Sequence, residues 1–126
     1  MAGPGGGRRD VCDEWVAMKF LLEFSYTPEA WAGMMKNPMD RRSAARTLIE
    51  SVGGQLESMY YTFGERDGFL VMEMPDAEAA AAAAVAANST GAFRMMRTVE
   101  LVEPEQLGTI LGRAGGLVGG YRAPGT

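Results

Sequence analysis

The residues able to do chemistry in this chain are few and of restricted type. There is no histidine among its 126 residues. That removes the usual general base near neutral pH and the commonest transition-metal ligand. Cys12 is the single cysteine, so no disulfide can form within the chain, as suits a reducing cytoplasm. What remains is a set of tyrosines, carboxylates and arginines. Tyr60, Asp67 and Glu73 are the candidates for proton transfer, and Arg97 is the candidate anchor for an anion. Tyr26 and Trp31 are candidate ligand-binding aromatics near the first crossover. Nothing in the spacing implies a metal or a cofactor. The ten methionines are scattered without a Met-x-x-Met array and read as adaptable core filler. Gly5-Gly6-Gly7 has no strand before it and no Gly-Lys-Ser/Thr after it, so it is not a phosphate loop.

Each candidate also has a plainer reading. The Asp67 carboxylate, beside Gly68, suits the capping of turn amides. Aromatic rings at such places form core, with hydroxyls reaching a partner. In the sharper reading Tyr60 and Trp31 line a pocket between sheet and helices. Strict alternation puts Tyr60 and Tyr61 on opposite faces, so only one of them can do so. Glu23, Glu73, Arg94 and Arg97 fall inside strands, where they pair across a subunit interface or reach the sheet edge. A carboxylate held in an apolar cavity would instead have a raised pKa and could move protons. Arg41 and Arg42 suit either an anionic group or a solvated helix face.

The elements that must position these residues can be read from periodicity. Val16 to Ser25 alternates, with Phe20, Leu22 and Phe24 on one face and Lys19, Leu21 and Glu23 on the other. Thr27 is a good N-cap and Pro28 suits the first helical turn. Asn37-Pro38 should break this helix, because proline disfavours the helical conformation of the residue before it. The helix resumes near Asp40, with Ala45, Leu48, Ile49 and Val52 as its buried stripe, and Gly53-Gly54 supplies a left-handed stop. A second strand spans Gln55 to Phe63. Leu56, Ser58, Tyr60 and Thr62 share one face, and Glu57, Met59, Tyr61 and Phe63 share the other. Gly64 to Gly68 is a hairpin connection, and Phe69 to Met74 is the third strand. Asp76 caps an alanine-rich helix to about Ala87, and Ala92 to Val102 is the fourth strand. Pro104 opens a short helix that Gly115-Gly116 should end.

The order is β-α-β-β-α-β with an added terminal helix. Right-handed crossovers put both main helices on one face of a four-stranded antiparallel sheet, an α+β ferredoxin-like fold. The other face is left bare. Its mixture of Leu21, Val71 or Met72, and Met95 or Met96 with Glu23, Glu73, Arg94 and Arg97 suits burial against an identical sheet. The expectation is a homodimer.

Composition bounds the partners. The net charge of −4 has the wrong sign for nucleic acid. No apolar run approaches the roughly 20 residues of a membrane helix. Arg8 and Arg9 are followed by no long apolar stretch, so no signal peptide is read. Length suits one domain: a flexible arm over 1–15, a folded domain over 16–114 and a Gly-rich tail over 115–126. Met18 would serve as a natural translation start.

The stretch from Leu56 to Gly68 reads L-E-S-M-Y-Y-T-F-G-E-R-D-G. Pro75-Asp76, an alanine-rich helix, Gly91 and a strand ending in Glu-Leu follow it. Together with the Gly53-Gly54 stop, this resembles the GYD-domain family of small bacterial proteins, over about Val16 to Ala114. The family's Gly-x-Tyr-Asp falls on Gly64, Arg66 and Asp67, with Arg66 in the place of the tyrosine. The resemblance implies membership of the dimeric α/β-barrel superfamily, which includes cofactor-free monooxygenases, isomerases and polyketide cyclases.

The leading expectation is a homodimeric small-molecule-binding protein, extending to a cofactor-free enzyme on an aromatic or polyketide-like metabolite. The alternative is an assembly module with a filled core and no pocket. A redox role for Cys12 is the third reading.

Overall fold

The computed structural model describes residues 17–126. The proposed arm, with Cys12 and Trp15, lies outside the described residues. Strand β1 is Met18–Tyr26, α1 is Pro28–Lys36, α2 is Arg41–Ser51, β2 is Gln55–Tyr61, β3 is Gly68–Met74, α3 is Ala77–Asn88, β4 is Phe93–Leu101 and α4 is Pro104–Leu117. A 3-10 turn, Val118–Gly120, follows α4. The sheet has four strands in the order β2-β3-β1-β4. Every neighbouring pair is antiparallel. This is the ferredoxin-like α+β arrangement.

Local chemistry explains the boundaries. The Thr27 hydroxyl accepts from the Ala30 amide and begins α1. Asn37 ends it outside helical geometry, ahead of Pro38. The Asp40 carboxylate then caps α2 through the Arg42 amide. Asp76 caps α3 through the Ala79 amide. Gly53 takes a φ of +87°, the left-handed stop expected after α2.

Two expectations fail for local reasons. The second strand carries a bulge, its register shifting between Leu56 and Ser58. An extra residue reverses the alternation beyond it. Leu56 and Met59 therefore both lie on the helix-covered side, opposite Met72 and Leu70. Tyr61 joins them there, and Ser58 and Tyr60 go to the bare side. The terminal helix does not stop at Gly115-Gly116 but runs through them to Leu117. None of its residues is buried, and Leu107, Ile110, Leu111 and Leu117 are all exposed.

The core lies between the sheet and its helices. Phe20, Leu22, Phe24 and Tyr26 of β1, with Leu70, Met72 and Met74 of β3, form its floor. Ile49 of α2 and Ala80 and Ala83 of α3 press onto it. Met72, not Val71, and Met96, not Met95, belong to this side, as the pairings Phe20–Met72 and Phe24–Met96 require. Among the described residues, no helix is long and apolar enough to cross a membrane.

Candidate functional site

Alanine decides the shape of the site. Ala44 and Ala45 of α2 face Ala83, Ala86 and Ala87 of α3. Side chains this short cannot fill the gap between two helices laid on one sheet. They leave a cavity of about 380 Å³ over the sheet centre. Its floor is Leu22, Phe24, Met59, Leu70, Met72 and Met96. Tyr26, Arg41 and Thr90 are the lining residues with polar side chains. The Thr90 hydroxyl is already engaged, donating to the Ala87 carbonyl at 2.8 Å and accepting from the Ala92 amide at 3.2 Å.

Tyr26 joins the cavity to an aromatic cluster. Its ring stacks on Phe93 with centroids 5.2 Å apart and meets Trp31 edge-on at 5.1 Å. Its hydroxyl lies 3.4 Å from that of Tyr61. Burial, and then the bond with Tyr61, push the Tyr26 phenol well above the ordinary tyrosine value, against a smaller downward pull from Arg41. The phenol is thus a proton-bearing group throughout the neutral range. Beyond it, Phe63 stacks on Trp31 and Tyr61 from a left-handed backbone with φ of 53°, rare for a bulky residue. The ring of Phe63 is 78% exposed.

Asp67 is a tie rather than a group at the cleft mouth. Its Oδ2 accepts from the Tyr26 amide at 2.9 Å and from the Trp31 indole N–H at 3.2 Å. Its own amide donates to the Phe24 carbonyl at 3.0 Å. One residue therefore holds the hairpin to the end of β1 and to α1. The carboxylate serves backbone and indole across the fold, not the local turn amides that the plainer sequence reading gave it. Gly68 follows because nothing larger fits: a Cβ there would sit 2.7 Å from both the Phe24 ring and the Tyr60 carbonyl.

The remaining candidates lie on the bare face. Tyr60 packs on Phe69 at 5.7 Å and is 60% exposed. The structure thus separates it from Trp31, and the bulge in β2 puts Tyr61 where Tyr60 was expected. Arg97 pairs with Glu23 at 3.8 Å within the chain, on the side away from the cavity. Glu73 meets Glu57, and Lys19 bridges Glu57 at 3.1 Å and Glu103 at 3.2 Å. The hydrogen bond with Glu57, and then burial, raise the Glu73 carboxyl above its ordinary value. The same bond, and then Lys19, lower Glu57. Among the described residues no cluster of three or more acidic or Cys side chains is arranged to hold a metal ion.

The model of the GYD domain matches residues 20–111, from within β1 to within α4. The chain belongs to the GYD-domain family. In this GYD domain the turn between β2 and β3 is held by its own backbone. The Arg66 carbonyl accepts from the Gly64 amide at 3.1 Å and the Thr62 hydroxyl at 2.6 Å. Those bonds use the backbone of Arg66, not its side chain. No curated protein matches the chain. Among solved structures it is similar to MtbAldR, at 15% identity and a TM-score of 0.48 over 78% of this chain and 60% of that one. It is similar to AsnC of E. coli at 14% identity and a TM-score of 0.48, over 79% of this chain and 62% of that one. A transcriptional regulator of Neisseria meningitidis in complex with L-Met matches at 10% identity and a TM-score of 0.47, over 80% of this chain and 61% of that one. The GYD chain thus spans about three fifths of the length of these proteins.

The sequence left Arg41 and Arg42 open between an anionic group and a solvated helix face; Arg41 lines this cavity and Arg42 a separate hollow. The break at Pro38 makes Arg41 the first residue of a new helix over the sheet. Tyr26 is the one predicted site residue that lines the cavity.

Proposed function

We propose that this GYD domain binds a small, largely apolar molecule in the cleft between α2 and α3. The observation that carries the reading is a cavity of about 380 Å³ walled by alanine on both sides. Close packing is the rule in protein interiors, and the volume falls in the range of small-molecule sites. A filled core, as an assembly module would have, does not leave such a space. The reading is one of binding, since the ionisable groups lining the space are Tyr26 and Arg41. Asp67 and Trp31 shape its rim from behind Tyr26.

The test is a thermal-shift screen of apolar metabolites on the wild-type protein and on Ala86→Leu. The substitution fills the gap without touching the sheet. Ligands should raise the melting temperature of the wild type and leave the variant unmoved. Equal shifts in both would place binding elsewhere.

Self-association is the second part of the proposal, and a specific row of residues favours it. Val71, Leu21 and Val99 lie side by side across β3, β1 and β4 on the bare face. The pairs Glu23–Arg97 and Lys19–Glu57 stand on either side of that row. An apolar centre with charges at its rim is the composition of a subunit interface. Sedimentation equilibrium should give a dimer for the wild type and a monomer for Val71→Lys. A wild-type monomer at cellular concentrations would remove this part and leave the cleft untouched.

A further inference from the structure

Among the described residues, Arg41 is the one charged side chain lining an otherwise apolar cleft. No carboxylate among the described residues forms an ion pair with it. Among the described residues the ion pairs involve Lys19, Arg66 and Arg97, not Arg41. The Asp40 carboxylate, next in sequence, is turned to the Arg42 amide at 2.9 Å. Arg42 and Arg46 lie on another side of α2, where they line a separate hollow with Ser58 and Tyr60. A cation left beside apolar surface without an anion is poorly solvated. A guanidinium in that position fits a planar carboxylate through two parallel hydrogen bonds.

From this we infer that the ligand of the cleft is an apolar monocarboxylic acid, its carboxylate on Arg41 beside the Tyr26 hydroxyl and its hydrocarbon body between the alanine walls. The inference rests on the reading of the cleft as a binding site and adds the class of molecule. A single negative charge matches a single cation. A phosphate or a diacid would bring a second charge that no further lining cation among the described residues meets, into a chain whose net charge is −4. Tyr26 supplies a second donor: in its 3.4 Å contact with Tyr61 either hydroxyl can donate, and with Tyr61 donating the Tyr26 hydrogen is free for the ligand. Thr90 supplies none, since its hydrogen is already given to the Ala87 carbonyl. The head group therefore meets two donors at one end and hydrocarbon along the rest. That arrangement sets orientation as well as affinity.

Calorimetric titration with matched pairs tests this: phenylbutyrate, naphthylacetate and decanoate, each against its primary amide. The amide keeps the shape and loses the charge. At least one acid should bind the wild type more tightly than its amide by roughly ten- to a hundredfold, the worth of a hydrogen bond to a charged group. Arg41→Gln should abolish that advantage and change the affinity of the amide by less than about threefold. Equal binding of acid and amide to the wild type overturns the carboxylate. If that equal binding is lost in Ala86→Leu, the cleft stands as a binding site and the head group alone is wrong. An acid preference that survives Arg41→Gln also overturns the assignment. Failure of every probe to bind the wild type overturns both the head group and the cleft.

Discussion

Asp67 and Tyr26 are 41 positions apart, and Asp67 Oδ2 accepts the Tyr26 backbone amide at 2.9 Å. The same oxygen takes the Trp31 indole N–H at 3.2 Å. Asp67 thus sets where β1 ends and where the ring at the cavity's edge stands. Asp67→Ala leaves the amide of a buried residue without a partner and should cost about 2–4 kcal/mol in urea unfolding. Asp67→Asn keeps one accepting oxygen and should lose less. In a Trp15→Phe background, the emission of Trp31 should move to longer wavelength in the alanine variant under native conditions. Wild-type stability in both variants would show that the contact does not hold the fold.

Tyr26 gives the structure an alkaline limit. Its folded pKa lies above the ordinary value of 10.0. The folded state therefore keeps a proton that the unfolded chain releases. The sign follows: this contribution is fully present below the ordinary tyrosine value and is lost as the pH climbs from there towards the raised one. Unfolding free energy should fall over that window in the wild type. Tyr26→Phe should show a flatter profile there. A variant with the same alkaline slope as the wild type would assign the loss to other groups.

Gly68 tests the packing of the hairpin against β1. A methyl group at that position meets the Phe24 ring and the backbone of Tyr60 at 2.7 Å. The carbonyl is part of the sheet and cannot swing aside. Gly68→Ala should destabilise by about 1–3 kcal/mol through overpacking. Adding Phe24→Leu should recover part of that loss, since it removes one of the two obstacles. An alanine variant as stable as the wild type would mean that the hairpin shifts without strain.

The parts of the fold legible in the sequence were those fixed by short-range chemistry. Thr27, Asp40 and Asp76 announced three helix starts, and Asn37-Pro38 announced the gap between α1 and α2. The order of elements along the chain followed from them. What was not legible depended on single-residue events. The bulge between Leu56 and Ser58 carries no Gly or Pro, and it exchanged the roles of Tyr60 and Tyr61. Gly115-Gly116 reads as a stop because glycine lowers helix propensity, yet α4 continues past both. Phe63 in the left-handed region has no marker at all. The cavity is a property of two helices at once. The alanines of α3 were visible as close-packing residues, but the space appears only when Ala44 and Ala45 stand opposite them. Asp67 was singled out by type and place, and its partners, Tyr26 and Trp31, came from a separate aromatic grouping. The sequence did not connect the two sets because the bond between them crosses the fold.

The methionines offer the most direct measurement of the cleft. Met59, Met72 and Met96 line it. Met95 lies on the bare face opposite Ser25, and Met35 and Met39 are exposed elsewhere, at 74% and 60%. Nuclear magnetic resonance of methyl-labelled methionine, recorded while phenylbutyrate or decanoate is added, reports on all of them together. Shifts confined to Met59, Met72 and Met96, with Met95, Met35 and Met39 unmoved, are the result expected of a ligand between α2 and α3. Shifts at Met95 with the three floor methionines unchanged would contradict it.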